Sequence, residues 1–195
     1  ANVQDEAFLH NFNARLMIIQ EGSLGYTWTP AVTLGAHLKW NQDLGDLDQQ
    51  LGGTCALLGA DHETGLEFTL VATKMIKDLL PKPLIVSAGV RNGDAIQTGL
   101  LGFAGARKFT LEGSLIYFLT DKLLIATEYR QKPDLMQPCL AGGRELVKPE
   151  SDWWDVALAY IVNDHITVAG GYANFGNILN NREDNVWAVQ VKYEF

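Results

Sequence analysis

The chain has 195 residues, 47 % of them apolar and 19 % charged, with a formal charge of −8. That size suits one domain over residues 1–195, and the apolar content excludes a disordered chain. The acidic balance argues against nucleic acid as a partner, because phosphate binding needs clustered Lys and Arg.

In chain order, Phe12, Ala14, Leu16 and Ile18 make the first apolar row, and Leu24, Tyr26 and Trp28 make another. With a turn at residues 20–23 these are two strands and the expected total is ten. With residues 20–30 as one connection the total is nine, and an even-numbered barrel would then lack a strand upstream. Ten is the preferred count. Val32, Leu34, Ala36, Leu38 and Trp40 alternate with Thr33, Gly35, His37, Lys39 and Asn41, the period of a strand with unlike faces. A polar loop over residues 42–65 follows. Its Asp43, Asp46 and Asp48 have oxygen ligands at cation-like spacing, but the EF-hand pattern is incomplete and solvated charge is expected. Asp61, His62 and Glu63 read as a mobile acidic tip.

Leu66, Phe68, Leu70 and Ala72 continue the alternation, and a tight turn with Pro81 leads to Leu84, Val86, Ala88 and Val90. A loop over residues 92–106 precedes Phe109, Leu111, Leu115 and Tyr117. Its Gly99, Gly102 and Gly105 do not follow the dinucleotide-binding pattern. Thr120-Asp121-Lys122 is a second tight turn before Leu123, Ile125, Thr127 and Tyr129. A long loop with three prolines spans residues 131–151 and leads to Trp154, Val156, Leu158, Tyr160 and Val162. Asn163-Asp164-His165 is the third tight turn, residues 166–175 a Gly-rich strand and residues 177–185 a polar loop. The last strand, Val186 to Phe195, alternates without a break.

Tight turns and long loops thus alternate. In an antiparallel meander this sets every short turn at one end and every long loop at the other, the asymmetry of transmembrane barrels. Strands of about nine to eleven residues match a tilted span of the hydrocarbon layer. Trp40, Phe68, Tyr117, Tyr129, Trp154, Tyr160, Trp187, Tyr193 and Phe195 lie near strand ends on the apolar face, as interfacial girdles do. No apolar run approaches the roughly 18 residues of a spanning helix. The expected fold is all-β, an antiparallel up-and-down transmembrane β-barrel of about ten strands. The chain opens at Ala1 without a signal-peptide pattern, so a removed leader or an incomplete N-terminus is expected.

On this phase His37, Lys39, Glu67, Arg91, Lys108, Glu112, Glu128, Arg130, Asp155, Lys192 and Glu194 face the lumen. Five basic residues, five acidic residues and one histidine predict ion pairs filling a narrow barrel, not the single-sign ring of a selective pore. Arg91 is expected to pair with Glu67 or Glu112. His37, Ser87 or Ser114, and Glu67 are the material of an acyl-transfer triad, but no spacing supports one and no catalytic residue is assigned. Cys55 and Cys139 are the only cysteines, far apart and outside any Cys-x-x-Cys pair, so no metal or haem site and no cofactor is expected. A disulfide between them is open in an oxidising compartment.

Several stretches together carry a resemblance: Asn13-Ala14-Arg15-Leu16-Met17, Leu34-Gly35-Ala36-His37-Leu38-Lys39-Trp40-Asn41, Glu128-Tyr129-Arg130-Gln131-Lys132-Pro133, and Trp153-Trp154 through Tyr193-Glu194-Phe195. They resemble a family of predicted Gram-negative outer-membrane barrels with no assigned function, over most of the chain. The final strand resembles the closing strand of such barrels, whose C-terminal Phe is read by the assembly machinery; Tyr193 and Phe195 are the implied assembly signal. The resemblance implies a bacterial outer-membrane location, with the lipid bilayer, lipopolysaccharide and the assembly machinery as partners. Its members are longer at the N-terminus, so the chain is expected to be the C-terminal portion of a larger barrel. No catalytic residues come with it. The expected function is a porin-like small-solute channel or a structural scaffold, not an enzyme. Two alternatives stay open: a barrel enzyme acting on envelope lipid or peptide, and a subunit docked to a protein partner in a larger envelope complex.

Overall fold

The structure, a computed structural model, describes residues 8–138, 140, 141, 144, 145, 147–178 and 180–194. Thirteen strands follow in chain order among the described residues: β1 (Leu9–Ile19), β2 (Ala31–Asn41), β3 (Thr64–Ile76), β4 (Leu84–Ala95), β5 (Phe103–Phe118), β6 (Leu123–Arg130), β7 (Leu140–Ala141), β8 (Arg144–Glu145), β9 (Trp153–Ile161), β10 (Ile166–Asn174), β11 (Gly176–Ile178), β12 (Asn181–Glu183) and β13 (Val186–Tyr193). Nine of them form one sheet in the order β1-β2-β3-β4-β5-β6-β9-β10-β13, every pair antiparallel. The other four make two small hairpins, β7-β8 and β11-β12. β1 and β13 are the sheet edges. No described helix is long and apolar enough to cross a membrane.

The sheet has nine strands, not the preferred ten, because residues 20–30 are a chain of turns. Gly22, Leu24 and Gly25 take left-handed backbone at φ 71, 59 and 78, which a strand does not accept. Leu24, Tyr26 and Trp28 therefore alternate in sequence without pairing. Glu21 folds back onto β3, bonding the Lys74 ammonium at 2.8 Å and accepting from the Met75 backbone N–H at 3.1 Å. Three supposed loops also carry structure. β4 runs to Ala95 and β5 starts at Phe103, so β5 has 16 residues and outruns the expected span. Residues 42–65 hold the helices α1 (Leu44–Gln50) and α2 (Thr54–Leu57), and residues 177–185 hold most of the β11-β12 hairpin.

Register fixes the faces, since residues paired across antiparallel strands point the same way. One face carries Phe12, Leu38, Leu66, Leu70, Val90, Leu111, Leu115, Tyr129, Trp154, Leu158, Val168 and Val189, all exposed. The other carries His37, Lys39, Glu67, Thr69 and Thr110, all buried. This second face curls inward, so that Arg15 on β1 and Arg130 on β6 line the same cavity.

The buried apolar core is not between layers of the sheet. Leu44, Cys55, Leu58, Ile96, Leu101, Ala104 and Leu135 form it, with Leu47, Leu51, Ala60, Met136 and Val147 packed around them. These residues come from the loop end, so the long connections collapse onto one another as a cap. Phe103, fully buried, ties the cap to the wall: its backbone bonds Asp61 and His62, and its ring lies over Gly65. A Cβ on Gly65 would stand 2.0 Å from that ring, so this close approach requires glycine.

The acidic stretches are part of this cap. Asp48 accepts from the backbone N–H groups of Cys55 and Ala56 at 2.6 and 3.2 Å, holding the start of α2, and Asp43 accepts from Phe8 at 2.8 Å. The Asp61–Glu63 stretch is exposed, as expected, and bonded to the wall: Asp61 accepts from the Gly105 N–H at 2.9 Å, and His62 pairs with Phe103. No group of metal-ligating side chains occurs among the described residues. Cys55 is a free, buried thiol, pushed up to about 11 by burial first and by the Asp48 carboxylate second. Cys139 and Phe195 lie outside the described residues.

Candidate functional site

The inward face of β2 to β5 carries a chain of charges. Lys39 bonds Glu67 at 2.9 Å, Glu67 bonds Arg91 at 2.9 Å, and Arg91 bonds Glu112 at 2.8 and 3.0 Å. Arg91 thus holds both of the carboxylates expected of it. Glu67 is only 1 % exposed and Lys39 6 %. Such burial is tolerated because each charge is paired and hydrogen-bonded; alone, each would cost several kcal/mol, on the order of 3–5 when a partner is removed. Local sequence makes the room. Gly93, opposite Lys108 on β5, sits beside Glu67, and a Cβ there would meet the Glu67 Cγ at 2.9 Å.

The remaining inward candidates fall in register order. Glu128 on β6 lies opposite both Ser114 and Asp155, and Arg130 lies opposite Glu112 and Trp153. Lys108 is on the same face but exposed, its ammonium donating to the Asp134 carbonyl. Lys192 is not enclosed: β13 is a sheet edge, and Lys192 and Glu194 form an exposed pair at 2.7 Å along the strand. Tyr193 is exposed on the apolar face. His37 meets Asn13 across β1, Ser87 meets Thr73 at 2.9 Å, and Glu67 is committed to two cations. Among the described residues, no hydrogen bond joins the histidine, a serine and the carboxylate. The elements of an acyl-transfer triad are present without its geometry.

A cavity of about 460 Å³ opens along this face. Arg15, His37, Arg91, Glu112, Glu128 and Arg130 supply its charges, and Thr33, Thr69, Thr73, Ser87 and Ser114 its hydroxyls. The turn Ile96–Gly99 is bonded to the loop end of the same face. Lys39 donates to the Thr98 carbonyl at 3.1 Å, and Asn41 donates to those of Gly99 and Leu100 at 3.2 and 2.8 Å. Lys132 and Glu150 pair at 2.8 Å in full burial; Lys132 also donates to Gln97 Oε1 at 2.7 Å, and Glu150 accepts from the Gln97 N–H at 2.9 Å. Sequence reasoning did not assign Arg15, Gln97, Lys132, Glu150 or Trp153. Lys132, Glu150 and Gln97 lie in connections, where no periodicity marks facing. Trp153 does carry a signal: it sits on the polar phase with Asp155, where an indole is out of pattern.

These features define an all-β protein built on one large antiparallel sheet, with a charged face turned in and an apolar face turned out. The chain belongs to the family described as "Protein of unknown function (DUF3034)", which matches residues 11–192. No curated protein and no solved structure matches the chain.

Proposed function

We propose that this protein is an outer-membrane β-barrel that offers small polar solutes a chamber closed at the loop end by the cap. The observation that carries the reading is inverted polarity. Charged Lys39 and Glu67 are buried, while Leu158 is 50 % exposed in a continuous field of Leu, Val and aromatic side chains. Water-soluble proteins rarely present so broad an apolar face, and a bilayer is a solvent that accepts it. The aromatics support the same reading. At the loop end of that face Tyr129 pairs with Trp154 and Tyr172 with Trp187, and Trp154 lies diagonally from Tyr172, the last three in ring contact at 5.6 and 5.2 Å. Tyr160 and Tyr193 lie toward the turn end. Trp154 and Tyr160 are about 20 Å apart along β9 at roughly 3.4 Å per residue, a spacing suited to girdles on either side of an apolar band.

In this reading the outer-membrane assembly machinery inserts the chain among lipid and lipopolysaccharide, and Tyr193 and Phe195 form the recognised end. The Lys39–Glu67–Arg91–Glu112 chain and the buried apolar cap favour a closed resting chamber over a standing pore. Membrane fractionation and planar-bilayer recording test this together. The protein is expected to stay with membranes through a carbonate wash and to pass little steady current. A monodisperse protein in detergent-free buffer overturns the reading. The edges of β1 and β13, unpaired among the described residues, favour a second reading, a subunit whose wall is completed by a partner in the envelope. A native-mass measurement in mild detergent separates the two.

A further inference from the structure

We propose that the floor of the cap is a binding site for a small oxyanion, a carboxylate or phosphate group, held by Arg130, Trp153 and Gln97. Three buried N–H donors in this neighbourhood have no acceptor among the described residues: Arg130 Nε, Trp153 Nε1 and Gln97 Nε2. Gln97 is only 4 % exposed. Buried donors are normally paired, so three together mark a place built for an acceptor.

The three residues are linked through shared neighbours. The Lys132 ammonium lies 4.6 Å from the centre of the Trp153 ring and 2.7 Å from Gln97 Oε1. The Arg130 guanidinium lies 5.8 Å from the same ring centre. Backbone geometry supports the placement, for Gln97 adopts φ 47 and is pinned there by Glu150.

Charge selects the ligand. Lys39 and Arg91 share Glu67, Arg91 also holds Glu112, and Lys132 holds Glu150. Among the described residues Arg130 makes no ion pair, whereas the other carboxylate at the floor, Asp152, accepts from the Lys132 backbone N–H at 3.1 Å and from the Tyr129 hydroxyl. Glu128 and Asp155 face one another across β6 and β9, two residues nearer the turn end. An oxyanion brings the negative charge that Arg130 lacks and lone pairs enough for all three donors. A cationic or apolar solute brings neither. Arg130 also lines the 460 Å³ cavity, which is the way in. The inference rests on the proposed chamber for that route alone.

Calorimetric titration of the purified chain in detergent micelles, with sodium acetate and with inorganic phosphate at constant ionic strength, tests the site. Saturable binding of at least one anion is expected. Arg130→Gln is expected to weaken it about tenfold or more. Trp153→Phe keeps the ring, removes the N–H and is expected to weaken it several-fold, while Glu21→Gln at the turn end leaves it unchanged. If Arg130→Gln fails to fold, Trp153→Phe and Gln97→Leu carry the test, with their anion-free melting curves as the control for structure. Absence of saturable binding of either anion, or equal affinity in the donor variants, overturns the proposal. The titration is done in micelles, so its failure is distinct from a failure of the membrane reading, which fractionation decides.

Discussion

Arg91 is the side chain on which the interior depends most. It joins Glu67 and Glu112, and Glu67 in turn holds Lys39. Arg91→Ala leaves two carboxylates short of a cation and is expected to cost about 3–5 kcal/mol in urea unfolding from micelles. Arg91→Lys is expected to recover only part, because an ammonium cannot span both acids as a planar guanidinium does. A near-neutral Arg91→Ala would mean that these charges are hydrated instead of paired. Glu21 makes a different kind of prediction. Its carboxyl is held below the ordinary value of 4.5, first by the Lys74 hydrogen bond and then by the Met75 N–H. A depressed carboxyl contributes stability above the unfolded-chain value and loses it as pH falls through the folded-state value. The difference between wild-type and Glu21→Gln is therefore expected to be present at pH 7 and gone in strong acid. Parallel unfolding curves at the two pH values read it directly, and an unchanged difference in acid refutes it.

Strands were legible in the sequence wherever one face was apolar over many residues. β2, β9 and β13 are such elements, because alternation there reflects two different surroundings. The same rule misled at Leu24, Tyr26 and Trp28, where apolar alternation sits on a run of turns whose left-handed backbone a strand does not accept. It also said nothing of Lys132, Glu150 and Gln97, whose positions follow from how three connections pack together, not from any local period. Lys192 follows the polar phase, and phase does not tell an enclosed position from one on an edge strand. The element-scale test uses that edge. Val189, 82 % exposed, and Gln190 are adjacent on β13 and face opposite ways. If the apolar face meets lipid, Val189→Arg is expected to cost about 2–4 kcal/mol and Gln190→Arg much less. Equal costs would remove lipid from that face.

At the scale of the molecule there are two bodies of unlike physics. The wall is held by backbone ladders and paired charges, the cap by a buried cluster of Leu, Ile, Ala and Cys. Phe103 joins them. Phe103→Ala is expected to cost about 3–5 kcal/mol, concentrated in the cap. Hydrogen exchange would then rise across residues 42–63 and 96–102 and stay slow in β2 to β5. In planar bilayers a current is expected to appear that the unaltered protein lacks. Uniform acceleration of exchange through the wall would instead make cap and wall one cooperative unit. The strand count has its own consequence. In a strict meander the first and ninth strands run in the same direction, so β1 and β13 cannot be joined by an antiparallel seam. An antiparallel closure takes an odd number of additional strands. Two copies of the described sheet related by a twofold along the barrel axis would meet only in parallel seams. Oddness alone thus restricts what can complete this wall, before any side chain of the partner strand is considered.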